Sequence, residues 1–150
     1  MTVTIPLLLL MLHALASCFM TGLIWFVQVV HYPLFSRVGV ESLTEYERQH
    51  QKRTTWVVGP VMFVEGVTTA LLMLPLFRPA AVGLWLPLTG GLMLLVIWCS
   101  TTFLQVPMHN RLSSGFDAKA HLTLVNTNWL RTILWSMRAL LSLWMLVQGA

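Results

Sequence analysis

Long apolar runs alternate with short polar stretches along the whole chain. Two segments, residues 1–36 and 79–110, contain no Asp, Glu, Lys or Arg, and two further apolar segments contain one each, Glu65 and Arg138. A helix that rises 1.5 Å per residue needs about 20 apolar residues to cross the hydrocarbon core of a bilayer. The pattern therefore predicts four transmembrane helices, over residues 5–30, 56–77, 84–106 and 129–147.

The composition of the chain agrees with a location inside a bilayer. Hydrophobic residues make up 57% of the sequence and charged residues 9%, whereas soluble domains carry about 25% charged residues. So few charges cannot cover the apolar surface of a soluble domain. Because backbone groups in lipid must be satisfied within the helices, we expect one all-α domain over residues 1–150, an integral membrane four-helix bundle in contact with the lipid bilayer.

The basic residues are unevenly distributed between the predicted loops. Most lie in the first loop, residues 31–55, and in the third, residues 107–128, while the termini lack Lys and Arg. Because basic residues in short loops stay in the cytoplasm, we expect both termini outside a bacterial cytoplasmic (inner) membrane. The nine basic residues form no run, so a nucleic-acid partner is not expected. The first loop is predicted to contain a short helix over residues 42–52.

Two opposite charges lie deep inside predicted helices. Glu65 and Arg138 are each about nine residues, or roughly 13 Å, from the cytoplasmic end of their helix. An unpaired charge at that depth is costly, so we expect the two side chains to meet. Two interpretations stay open: a structural ion pair that joins helices two and four, or the charged wall of a site in which Glu65 accepts a proton.

Polar residues follow one face of three predicted helices. In helix four they recur at steps of three and four residues, the spacing of a single helical face. They are Asn128, Arg131, Trp135, Arg138 and Ser142. Helix three carries Thr101, Gln105 and His109, and helix one carries Trp25, Gln28, His31 and Tyr32. Because such faces point inward in lipid, they predict a polar pocket near the cytoplasm, with interhelical hydrogen bonding alone as the alternative.

Two histidines, His31 and His109, lie at the predicted cytoplasmic helix ends. As a pair they suit a metal or haem, or acid–base chemistry near neutral pH. No HxxxH cluster supports a metal site, and hydrogen bonding at the interface is a further alternative. His50 lies in a run of charged residues and is expected on the surface, with a position over the mouth of the bundle as the alternative.

Two short elements resemble those of a known family. The first follows helix three and reads Val106-Pro107-Met108-His109-Asn110-Arg111-Leu112, one residue shorter than the family's own element. The second opens helix four and reads Asn126-Thr127-Asn128-Trp129-Leu130-Arg131-Thr132. Together with four spans in 150 residues, they are similar to the anthrone-oxygenase-like membrane proteins. The resemblance implies a small membrane oxygenase for polycyclic aromatic substrates, with Asn110, Trp129 and Arg131 as site residues.

Taken together, these features favour an oxidoreductase that acts on a lipophilic ring compound in the polar pocket. His109 or Glu65 is the candidate proton acceptor, and Arg131 and Arg138 are candidates to stabilise an oxyanion. The candidate binding residues are Gln28, His31, Tyr32, Gln105, Asn110, Asn128 and Trp129. The alternative is a non-enzymatic protein, either a small-solute carrier or an assembly subunit of a membrane complex. A homo-oligomer is compatible with both.

Overall fold

The computed structural model describes residues 4–150, and for Val40 it describes the backbone alone. This part of the chain folds into helices without any strand. Four helical runs are each long and apolar enough to cross a bilayer. They are α1 (Ile5–Arg37), α2 (Val40–Met73), α3 (Trp85–Leu112) and α4 (Ala118–Gly149). The predicted all-α architecture of four membrane-spanning helices is confirmed.

The bundle has apolar side chains outside and polar side chains inside. Phe63, Phe103 and Leu140 are each at least 70% exposed, whereas Glu65 and Arg138 are at most 1% exposed. A soluble domain shows the reverse distribution, because water would solvate the charged groups and exclude the rings. Lipid favours the arrangement seen here. The chain is therefore a multi-pass membrane protein.

The second helix begins at Val40 instead of at the predicted residue 56. The short helix expected over residues 42–52 is its first part, which continues into the apolar residues 56–73 without a break. One stripe of side chains faces inward along the whole helix, and it explains this continuity. The stripe includes Leu43, Glu47, Glu65 and Leu72, which are all buried against the bundle. The other charged residues between positions 41 and 53 lie exposed on the outer face of the same helix.

The fourth helix likewise begins earlier than predicted, at Ala118 instead of at residue 129. The carboxylate of Asp117 caps it by accepting hydrogen bonds from the backbone N–H groups of Lys119 (2.9 Å) and Ala120 (3.1 Å). Such a cap satisfies donors that the first turn of a helix leaves free. The connection before it contains Gly115 with φ +140°, a conformation that favours glycine.

Each helix packs against two neighbours: α1 and α3 both contact α2 and α4. The connection between α1 and α2 and the connection between α3 and α4 lie at one end of the bundle, and the turn between Met73 and Trp85 lies at the other. We call the first of these ends the polar end. It carries residues 40–55 and 113–117.

Two π-helical turns interrupt the helices near the polar end, over Val27–His31 in α1 and Thr101–Gln105 in α3. Each ends two residues before a proline, Pro33 or Pro107. Proline has no N–H group and its ring clashes with the preceding turn, and a π turn accommodates this by widening the helix. Such turns occur frequently at functional sites, and here they place Gln28 and Gln105 in the interior.

Candidate functional site at the polar end

The bundle contains two separate polar centres, and the first lies deep in the apolar region. Nη2 of Arg138 is 3.4 Å from Oε1 of Glu65, which confirms the predicted contact. Oε1 of Glu65 also accepts a hydrogen bond from Ser17 (3.1 Å), and Oε2 accepts one from the Trp135 indole (3.0 Å). Both carboxylate oxygens therefore have donors within the bundle, and Arg138 compensates the charge of Glu65.

The second centre lies at the polar end, and all four helices contribute to it. We call it the histidine cluster, and it consists of His31, Tyr32, Glu47, His50, His109 and Arg131. Aromatic rings pack closely within it: the rings of His31 and His50 are 4.6 Å apart, and those of His50 and His109 are 5.2 Å apart. Phe35 packs edge-on against His31 and His50.

A chain of hydrogen bonds runs through this cluster from Glu47 to Tyr32. Nδ1 of His109 is 2.5 Å from Oε1 of Glu47, and Nε2 of His109 is 2.9 Å from the Tyr32 hydroxyl. With Glu47 ionised, Nδ1–H donates to the carboxylate and Nε2 accepts the hydroxyl proton of Tyr32. Glu47 and Tyr32 are buried and His109 is 8% exposed. The arrangement fixes one tautomer of His109, with a basic Nε2.

The position of His50 differs from the surface position expected from its charged neighbours. Its Nδ1 lies 2.8 Å from Nε2 of His31 and 3.1 Å from the Thr54 hydroxyl. Because α2 is continuous, His50 follows Glu47 by three residues and faces the bundle with it. His50 precedes the apolar residues 56–73. Burial, together with the nearby His109 and His31, lowers the pKa of His50 from 6.5 to about 3, so this imidazole is neutral at pH 7.

Arg131 completes the cluster from α4. Its guanidinium lies beside the Tyr32 hydroxyl and 5.2 Å from the centre of the Trp135 ring. The side chain is buried, and its Nε has no hydrogen-bond acceptor. Unlike Arg138, it takes part in none of the ion pairs formed among residues 4–150.

Two cavities adjoin the cluster on either side of α2. One is a groove of about 500 Å³ between α1 and α2, with His31 and His50 in a wall that is otherwise largely apolar. The other, of about 250 Å³, lies between α2 and α3. Its polar lining includes Tyr32, Gln105, His109 and Arg131. Three side chains, His50, Thr54 and Val58, line both cavities. Glu65 and Arg138 line neither.

The remaining residues predicted from sequence fall into two groups. Gln28 and Asn128 are buried and pair with each other, because Nδ2 of Asn128 donates to Oε1 of Gln28 at 2.9 Å. Asn110 is exposed and does not contact the cluster in the structure. Trp129 is exposed on the outer surface, where its ring packs edge-on against Trp25 with centroids 5.7 Å apart. The structure thus brings neither Asn110 nor Trp129 to the polar centres.

The histidine cluster does not form a set of metal ligands. His31 and His50 engage each other, and both nitrogens of His109 are occupied by Glu47 and Tyr32. Within residues 4–150, no three His, Cys, Asp or Glu side chains converge on a point where a metal ion would be held. The part of the chain that the structure describes therefore contains no preformed metal site at His31 and His109.

Glu47 and His50 are the cluster residues that the sequence interpretation left out. The signal that could have found them is the stripe on α2. Glu47, Thr54, Val58 and Glu65 follow one another at helical steps and cross the predicted boundary at residue 56 without a change of phase. A phase that continues in this way indicates one helix, and it would have placed Glu47 and His50 on the inward face.

Comparison of the chain with protein-family models, with curated proteins and with solved structures finds no match.

Proposed function

We propose that the protein binds a lipophilic ring compound at its polar end and removes a proton from it, as the first step of an oxidation. The groove between α1 and α2 offers an apolar wall formed by side chains such as Phe26 and Val57, beside the imidazoles of His31 and His50. It meets the cavity that contains Tyr32, His109 and Arg131 at the shared residues His50, Thr54 and Val58, so the reacting part of the ring is proposed to lie at that junction. Pockets for drug-sized molecules typically have a volume of about 300–1,000 Å³, and the groove lies within that range. A ring compound would partition from lipid into this surface.

The observation that carries the proposal is the hydrogen-bonded chain of Glu47, His109 and Tyr32. A carboxylate that holds one nitrogen of an imidazole orients the ring and stabilises the imidazolium that forms when the other nitrogen takes up a proton. Nε2 of His109 is therefore the proposed base, acting through the Tyr32 hydroxyl that it contacts. The structure favours His109 over Glu65 for this role, because the oxygens of Glu65 are already occupied.

The resemblance to anthrone-oxygenase-like proteins suggests molecular oxygen as the oxidant. In that reaction a ring methylene becomes a ketone and the second oxygen atom leaves as water (R₂CH₂ + O₂ → R₂C=O + H₂O). His109 takes the first proton and returns it as water forms. The negative charge that develops on the ring oxygen is stabilised by Arg131, in preference to Arg138, which is paired with Glu65.

The proposed site faces the cytoplasm of a bacterial inner membrane, with both termini outside. Support for this orientation comes from the basic residues, since Arg37, Lys52, Arg111 and Lys119 all lie at the polar end and basic residues are retained on the cytoplasmic side.

The test is oxygen uptake by purified protein in detergent with anthrone-type ring ketones, followed together with ketone formation. We expect His109→Ala and Tyr32→Phe each to lower the rate by about 10²–10⁴-fold, the usual contribution of a general base. Asn110→Ala is the matched control, because Asn110 is adjacent to His109 in sequence but exposed. It should retain the full rate.

Two results would overturn the proposal. Equal rates for the parent protein and for folded His109→Ala would exclude the base role. Loss of activity in Asn110→Ala, with His109→Ala active, would favour the site that the family resemblance implies over the one that the structure favours. Binding of ring ketones without any turnover by the parent protein would favour a carrier.

A further inference from the structure

Arg131 is a buried cation without an anionic partner. It is 7% exposed, and none of the ion pairs among residues 4–150 includes it. Its neighbours Tyr32 and Trp135 are uncharged side chains, and its buried Nε donates no hydrogen bond. A buried charge without a directly paired anion is costly, and His109 and Tyr32 separate the Arg131 guanidinium from the Glu47 carboxylate.

The other buried arginine shows how the same fold compensates such a charge. Arg138 pairs with the Glu65 carboxylate and donates to the backbone carbonyl of Gly90. It does not line either of the two cavities described above. Arg131, in contrast, lines the cavity between α2 and α3. The missing anion therefore has a place to bind, directly beside the guanidinium.

The size and lining of this cavity indicate what kind of group it holds. At about 250 Å³, it is smaller than the pockets that enclose whole drug-sized ligands, and it suits a head group. Oε1 of Gln105 is buried there without a donor, so a ligand with a hydroxyl or amide beside its anionic group would satisfy it. A single arginine can balance one negative charge on a ligand. The Glu47 carboxylate in the same cluster disfavours a ligand with two negative charges.

We propose that the cavity between α2 and α3 binds the carboxylate head group of a lipophilic acid, with Arg131 as its counter-ion; a hydroxyl or amide on the same ligand would donate to Gln105. This goes beyond the proposed function and does not depend on it, because a bound carboxylate would occupy Arg131 in place of the ring oxyanion. The binding itself requires no turnover. A planar guanidinium matches a carboxylate with two parallel hydrogen bonds.

The experiment measures binding of three probes to the full chain in a neutral detergent: sodium decanoate, decanol and sodium acetate. Titration calorimetry and the midpoint of thermal unfolding are the readouts. We expect decanoate to bind and to raise the midpoint, and decanol and acetate at the same concentration to do neither. Arg131→Gln should weaken decanoate binding about 10- to 100-fold, as expected for hydrogen bonds to a charged group. Arg111→Gln, at an exposed arginine on α3, should bind decanoate normally.

The ligand-free variant gives a second, independent outcome. Because Arg131→Gln removes an uncompensated charge, it should unfold at the same temperature as the parent protein or higher, unlike a variant that breaks an ion pair. If that variant does not fold, Arg131→Lys serves instead and should show weaker but measurable decanoate binding.

Several results would overturn the inference. Equal stabilisation by decanol would show that only the apolar chain is recognised. Equal stabilisation by acetate would show a small free anion as the ligand. Unchanged decanoate affinity in Arg131→Gln would remove Arg131 from the site. If His109→Ala still oxidises ring ketones while decanoate binding depends on Arg131, the proposed base is wrong and the acid site stands. If His109→Ala is inactive while decanoate binding does not depend on Arg131, the proposed base stands and the acid site is overturned.

Discussion

The two polar centres of this bundle share one pair of charged residue types but differ in how completely these charges are paired. Each has a buried carboxylate and a buried arginine, and Trp135 contacts both. At the Glu65–Arg138 centre, the carboxylate oxygens are occupied and the two charges meet. In the histidine cluster, the Glu47 carboxylate and Arg131 are separated by His109 and Tyr32, and Arg131 lines a cavity.

This difference shows that a buried charge does not by itself indicate a catalytic or ligand-binding role. A pair that is closed and hydrogen-bonded stabilises a helix contact, or at least avoids the cost of a lone charge. A charge that is buried, unpaired and next to an empty volume is expected to meet a ligand. The following predictions test whether the two centres divide in this way.

The largest effect is expected at the closed centre. Glu65→Leu and Arg138→Leu should each lower the free energy of unfolding by about 3–5 kcal/mol, because each leaves an uncompensated buried charge. The double variant should recover much of that loss, since it leaves no charge behind. Unfolding in detergent measures all three. Losses that simply add in the double variant would mean that the two residues act through separate partners.

A smaller effect is expected from acid at the histidine cluster. The unfolded chain protonates His50 near pH 6.5, whereas the folded chain does so only near pH 3, so the unfolded state binds more protons between these values. The stability that neutral His50 contributes is complete above pH 6.5 and is lost as the pH falls towards 3. His50→Gln should therefore show a shallower fall in melting temperature over this range. Parallel curves for the two proteins would contradict the neutral, half-buried state of His50.

No measurable effect is expected from a charge pair outside both centres. Glu45 and Arg48 form an exposed ion pair at 2.7 Å on α2, and the hydrogen bond from Arg48 holds the pKa of Glu45 at about 2. Exposed pairs of this kind contribute little because water and salt screen them. Glu45→Gln should leave the melting temperature unchanged at every salt concentration. A clear loss of stability would mean that this face of α2 has a contact that the bundle alone does not provide.

The four spans and the Glu65–Arg138 contact could be predicted because lipid imposes strict rules on both. An apolar run long enough to cross the bilayer can satisfy its backbone there only as a helix. Two opposite charges at the same depth avoid the cost of a lone buried charge by pairing. The stripe on helix four, from Asn128 to Ser142, is buried for the same reason.

The histidine cluster could be predicted only in part. The sequence indicated His31, Tyr32, His109 and Arg131, but the run of charges around residue 48 hid the inward face of the same helix. Exposed charged side chains and buried side chains alternate there with helical period. Local composition does not distinguish these two faces of the helix. The Glu47–His109 contact joins residues that are 62 positions apart, which local pattern does not reveal.

The two π-helical turns have a consequence for how this site could be gained or lost. A π turn is an α-helix that has accepted one additional residue, and each residue of an α-helix advances the chain by about 100° around its axis. If Val27–His31 wound as a regular α-helix with all five residues kept, Tyr32 would be rotated by about this angle against the rest of the bundle. The same holds for Thr101–Gln105 and His109. The orientation of the cluster residues on α1 and α3 thus depends on the winding of these two turns as much as on the identity of the residues.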